Sequence, residues 1–166
     1  MEKSTLQDNP LFTFYEPLLE PLGLRIVEIH QTMHGNQVKL EVFITGAGKE
    51  ADSADCERAY HAIYPVAEAA AGPLRDLYME VSTPGLLRVI KDPFEFSLFV
   101  GRTVRVYDSG RAEYLRGDIA GWDGNTLSLT RCTIGDGKDE TDVSVALPQI
   151  QKAKLDYRWE EIDHGS

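Results

Sequence analysis

The side chains whose types and spacing could do chemistry are few in this chain: four histidines, two cysteines and one glycine-lysine loop. His30 and His34 stand four apart, which on a helix would offer two imidazoles to one metal ion. Here they straddle a strand end and the polar turn His34-Gly35-Asn36-Gln37, with no glutamate between them, which favours surface histidines. Cys56 and His61 are five apart on one predicted helix and share a face poorly. Gly46-Ala47-Gly48-Lys49 resembles the end of a phosphate-binding loop. The earlier glycine is missing, however, and Glu50 stands where a Ser or Thr would hold Mg²⁺. There is no Gly-x-Ser-x-Gly elbow, no His-Glu-x-x-His pair and no Cys-x-x-Cys. The expectation is a protein that is not an enzyme and uses no cofactor or metal. A hydrolase whose triad is assembled only in space is the alternative left open.

The basic residues are the more informative set. Arg88, Lys91, Arg102, Arg105, Arg111 and Arg116 fall within one short stretch, interleaved with Asp92, Glu95, Asp108 and Glu113. On a strand through Val104 and Val106, Arg105 points away from the valines. Such a patch suits RNA phosphates. The competing reading is that each arginine pairs with a neighbouring carboxylate on a solvated face. The background is acidic: 17 basic against 27 acidic residues give −10 and a pI near 4.8. That excludes a protein gripping nucleic acid through overall charge, and suits one that meets a basic partner. The two cysteines, far apart, read as reduced thiols. No run approaches the roughly 18 apolar residues of a membrane span, and the first ten residues lack the apolar core of a signal peptide.

The elements that must position these residues divide at one stretch, Tyr78-Met-Glu-Val-Ser-Thr-Pro-Gly-Leu-Leu-Arg88. It starts as a strand, alternating through Ser82, and stops at Pro84-Gly85, which supplies the fixed and then the positive φ of a type II turn. Before it, Asn9 and Pro10 start a helix with the apolar stripe Leu11, Tyr15, Leu18, Leu22, ended by Gly23. A strand from Leu24 to about Gln31 pairs with the alternating run Val38 to Ile44. Asp52 or Ser53 caps a second helix with the stripe Cys56, Ala59, Tyr60, Ile63, which Pro65 interrupts. After it, Asp92 and Pro93 open a short helix with Phe94, Phe96 and Phe99, buried most simply at the join between modules. From Arg102 the pattern is all β: strands near 103–107, 113–120, 126–130, 143–147 and 153–157. Five short strands predict a small SH3-like or Sm-like barrel whose closure removes edges. The fold class is α+β, with two domains. These are an amino-terminal α-β-β-α-β sheet domain over 1–88 and an all-β SH3-like (Sm-like) barrel over 102–159. A connecting helix spans 89–101, and an acidic tail covers 160–166.

That central run resembles the "LEVSSPGLDR" signature of the bacterial ribosome maturation factor RimP family. Glu16-Pro-Leu-Leu-Glu-Pro-Leu-Gly-Leu24, Asp55-Cys-Glu57 and Phe96-x-x-Phe-Val-Gly-Arg102 lie in the order that family shows. Leu87 stands where the family has an aspartate, Thr83 where it has a second serine, and Val89-Ile90 replaces Pro-Leu. Losing the aspartate removes an acidic partner for Arg88. The resemblance implies a cytoplasmic, non-enzymatic assembly factor that binds the immature small (30S) ribosomal subunit and promotes incorporation of a basic ribosomal protein. It implies no cofactor and no membrane, and the chain is expected to be a monomer. Ser82, Pro84, Gly85, Arg88, Lys91, Arg102, Arg105 and Arg116 are the candidates for contacting that protein, ribosomal RNA or the other domain. The alternative is an Sm-like RNA-binding module with an accessory α/β domain.

Overall fold

The structure is a computed structural model, which describes residues 1–157. Trp159 and the acidic segment 160–166 lie outside the described residues. The chain divides into two compact units, one formed by Thr5–Pro84 and the other by Met1–Ser4 with the residues from Gly85 onward.

In the first unit, the Asn9 side chain accepts from the Leu11 amide at 3.0 Å and Pro10 occupies the first helical position of α1, Pro10–Leu19. A 3-10 turn, Glu20–Leu22, carries the chain through Pro21 to Gly23, at φ +72°. The buried face of α1 is Phe12, Tyr15, Glu16 and Leu19, so only Tyr15 of the expected stripe is buried. Glu16 draws the helix round, because its carboxylate receives the Arg25 guanidinium and, at 2.7 Å, the Ile26 amide. Strand β1, Leu24–His34, pairs antiparallel with β2, Gln37–Gly46, and His34 belongs to the strand rather than the turn. A bulge between Ile26 and Glu28 inserts Val27, which lets adjacent residues both be buried.

The Asp52 and Asp55 side chains each accept from the other's backbone amide, a capping box that starts α2, Ser53–Ala71. Pro65 does not interrupt this helix, contrary to expectation. Pro65 is exposed, so the carbonyl it frees one turn earlier can reach water, while Ala59, Ile63 and Ala67 stay buried. Helix α2 is the crossover that brings β3, Asp76–Ser82, parallel to β2, giving the order β1-β2-β3.

In the second unit the expected connecting helix is reduced to one turn, α3, Glu95–Leu98. The backbone amide of Phe94 donates to the Asp92 carboxylate at 2.9 Å, but Pro93 and Phe94 form a turn before the helix. Phe96 and Phe99 are fully buried inside this unit, with Phe96 5.4 Å from the Trp122 ring. Five antiparallel strands follow: β4 Thr103–Asp108, β5 Glu113–Trp122, β6 Thr126–Ile134, β7 Thr141–Ala146 and β8 Ile150–Leu155. Each runs longer or shifts by a few residues from its alternating core, because bulges keep the pairing going past breaks in the pattern. The order is β7-β6-β5-β4-β8, so the last strand returns beside the first. No ladder joins β7 to β8 among the described residues. The core is Val104, Val106, Leu115, Ile119, Leu127, Leu129, Val145, Ile150 and Leu155, the inward half of each alternation.

Candidate functional site

The candidates named from the sequence do not form one cluster. Ser82 and Pro84 end the first unit, Ser82 exposed on β3 opposite Phe43. Gly85 begins the second unit at φ +92°, in the left-handed region that a β-branched residue resists.

Arg88 is buried, at 8% exposure, and does not join a surface patch. Its Nε donates to Glu95 Oε1 at 2.7 Å, and its carbonyl accepts from the Leu155 amide at 2.7 Å. Glu95 also receives the amides of Lys91 at 3.1 Å and Asp92 at 2.9 Å. Burial pushes the Glu95 carboxyl above the usual glutamate value, opposed by the Arg88 guanidinium and the two amides. The carboxylate that Leu87 does not supply therefore comes from seven residues on. The pair anchors the start of the second unit to β8 and α3.

Arg111 and Arg116 are ion-paired as well. Arg111 donates to Asp108 at 2.5 Å, and Arg116 lies 3.2 Å from Asp156 and also donates to the Tyr157 carbonyl. Arg102 sits with its guanidinium 5.7 Å from the Phe99 ring, and Lys91 is exposed. Arg105 is different. It is exposed, its guanidinium lies 4.5 Å from the Tyr114 ring centre, and it makes no ion pair among the described residues.

Strand register explains what surrounds Arg105. Its partner on β8 is Lys154 and its partner on β5 is Arg116. One step along, Tyr107 pairs with Lys152 on β8 and with Tyr114 on β5, the two tyrosine rings 5.0 Å apart. Since side chains alternate along a strand and align across strands, all six share the outward face of β8-β4-β5. The sequence reading missed Tyr107, Tyr114, Lys152 and Lys154 as members of this face. The β4–β8 pairing, which only the fold supplies, brings the lysines there.

The first unit presents the opposite sign. On the sheet face away from the buried Val38, Leu40, Val42 and Ile44, Glu41 is in register with Glu80 on β3 and with His30 on β1. Glu28 lies one step further along the same face, 2.8 Å from His30 Nε2. His30 and His34 are both exposed, and no group of three metal-ligating side chains converges among the described residues. Burial pushes the Cys56 thiol up, away from the reactive thiolate, and Cys132 is buried. No helix among the described residues is long and apolar enough to cross a membrane.

The chain is an α+β protein of two units, one acidic with a mixed sheet and one antiparallel with a basic outward face. Residues 14–87 match the model of the RimP N-terminal domain, a match that covers nearly all of the first unit. That match supports the RimP family, a family of ribosome maturation factors, for the module it covers.

Proposed function

We propose that this chain is a non-enzymatic assembly factor for the small (30S) ribosomal subunit. It binds the immature subunit in the cytoplasm as a monomer and promotes incorporation of a basic ribosomal protein. The match to the RimP N-terminal domain carries this reading, together with the charge of the matched module. Residues 5–84 hold twelve acidic and five basic side chains, a net −7. The face with Glu28, Glu41 and Glu80 is the docking surface for the basic protein, since complementary fields speed encounter and disfavour wrong partners. Arg105 and Arg116, with Lys91 and Arg102 as outlying positive groups, contact ribosomal RNA. Arg88 acts through packing.

The reading of the second unit as an SH3-like small barrel is supported by its five antiparallel strands and by the return of β8 beside β4. The division read from the sequence, 1–88 and 102–159 joined through 89–101, is proposed with its edges set by the compact units: the first module ends at Pro84, and Met1–Ser4 with the residues from Gly85 onward go with the second. The test is co-sedimentation of purified protein with free small subunits. Binding is expected at low salt and should weaken steeply as salt rises. Failure to co-sediment at low salt sinks the proposal. The second reading, an Sm-like RNA-binding module with an accessory domain, is favoured by one observation, the basic and aromatic face around Arg105. It predicts tight binding to short naked RNA without any need for the subunit.

A further inference from the structure

A groove of about 450 Å³ runs over the outward face of β8 and β4. Arg105, Tyr114, Lys152 and Lys154 line it, with Val89 and Ile90 as its apolar part. Among the described residues no acidic side chain lines it, in a protein whose net charge is −10. None of the three cations makes an ion pair among the described residues. The register sets Arg105 directly between Lys154 and Arg116, and like charges placed directly opposite destabilise a sheet. Arg116 is relieved by Asp156, whereas among the described residues Arg105 has the ring of Tyr114 and no carboxylate. Tyr114 is itself 41% exposed and Tyr107 packs against it edge-on.

We infer that this groove binds a single-stranded RNA segment, with phosphates on Arg105, Lys152 and Lys154 and a base stacked on the Arg105–Tyr114 pair. A polyanion removes the repulsion along the row. A flat base can stack on the guanidinium that lies over the Tyr114 ring or on the ring itself, and such platforms tolerate any base because every base has a π-face. A duplex would satisfy the cations but keep its bases stacked inside. An acidic peptide would meet the charges and leave the aromatic surface unused. The inference deepens the RNA contact proposed above, and rests on that reading only for the source of the RNA.

The experiment is fluorescence anisotropy of the full chain with a short labelled oligouridine, run beside subunit co-sedimentation. Three phosphate contacts to a single strand predict an affinity that falls about twentyfold between about 50 and about 200 mM salt. Lys152→Gln with Lys154→Gln should flatten that fall to about threefold, as one contact remains. Tyr114→Ala should weaken binding about tenfold, and Tyr114→Phe, which keeps the ring, should not. Unchanged binding by Tyr114→Ala with an unchanged melting curve overturns the inference. So does a duplex of the same length binding as tightly, or polyglutamate competing as well as RNA. Subunit binding without oligouridine binding removes the groove and leaves the assembly role; oligouridine binding without subunit binding does the reverse.

Discussion

The two units handle charge in different ways. Residues 5–84 carry twelve acidic and five basic side chains, whereas the rest of the chain carries fifteen and twelve. The first unit keeps carboxylates in register on one face, Glu41 opposite Glu80, with Lys39 3.5 Å from Glu41 as a partial counter-charge. The second neutralises most of its arginines locally, as in Arg88–Glu95, Arg111–Asp108 and Arg116–Asp156, and leaves cations exposed along β8 and β4. A net charge near −10 thus conceals two surfaces of opposite purpose. Overall charge bounds what a protein attracts from a distance, while register decides what a given face can hold.

The comparison breaks most severely at the buried pair. Glu95→Ala removes the carboxylate to which the buried Arg88 Nε donates, and is expected to cost the second unit about 3–5 kcal/mol in urea unfolding. A loss below about 1 kcal/mol would place Arg88 among the weak surface pairs. Next in size is Gly85→Val, which forces a β-branched residue to φ +92°. The expected cost is about 1–3 kcal/mol, read as a lower melting temperature. An unchanged melting temperature together with unchanged subunit binding would show that Gly85 does not need that conformation.

Neutralising the acidic face sharpens the contrast instead. Glu28→Gln, Glu41→Gln and Glu80→Gln together should weaken capture of a basic ribosomal protein about tenfold while leaving oligouridine binding intact. If both ligands are lost together, the two faces do not have separate partners.

The smallest effect is acid sensitivity. Burial would raise the Asp108 carboxyl, but the Arg111 guanidinium and the amides of Gly110 and Arg111 hold it below the usual aspartate range. A depressed folded value means its stabilisation is present above the ordinary aspartate value and is lost as pH falls through the folded one. Glu95, raised by burial, has the opposite sign: its ionisation costs stability as pH rises from the ordinary glutamate value through the folded one. Asp108→Asn should therefore make the unfolding midpoint of the second unit flatter against pH on the acid side. A profile as steep as that of the unsubstituted protein would assign the acid loss elsewhere.

Much of the fold was legible because local rules agreed with the global ones. Asn9-Pro10, Asp52 with Asp55, the alternation at Val38–Ile44 and the Pro84-Gly85 stop all mark boundaries through chemistry contained within a few residues. What stayed hidden depends on distant partners. Pro65 continues α2 because its open side is solvent, and Glu16 is buried because Arg25 and Ile26 come back to it. Arg88 read as a surface cation until Glu95 and Leu155 closed around it. The basic face was half visible as Arg105 and Arg116, yet Lys152 and Lys154 join it only through a pairing between the first and last strands of the second unit.

The assignment of Met1–Ser4 to the second unit has a consequence for synthesis. Ser4 Oγ donates to Asp92, and the Met1 amino group donates to the Ile150 carbonyl across a separation of 149 residues. Thr5–Pro84 can complete its own sheet while later residues are still being polymerised, whereas the leading residues must wait for β8. At roughly 5–20 residues per second that delay is on the order of 10 s. During it the nascent chain displays its acidic module, already folded, ahead of the module with the basic face.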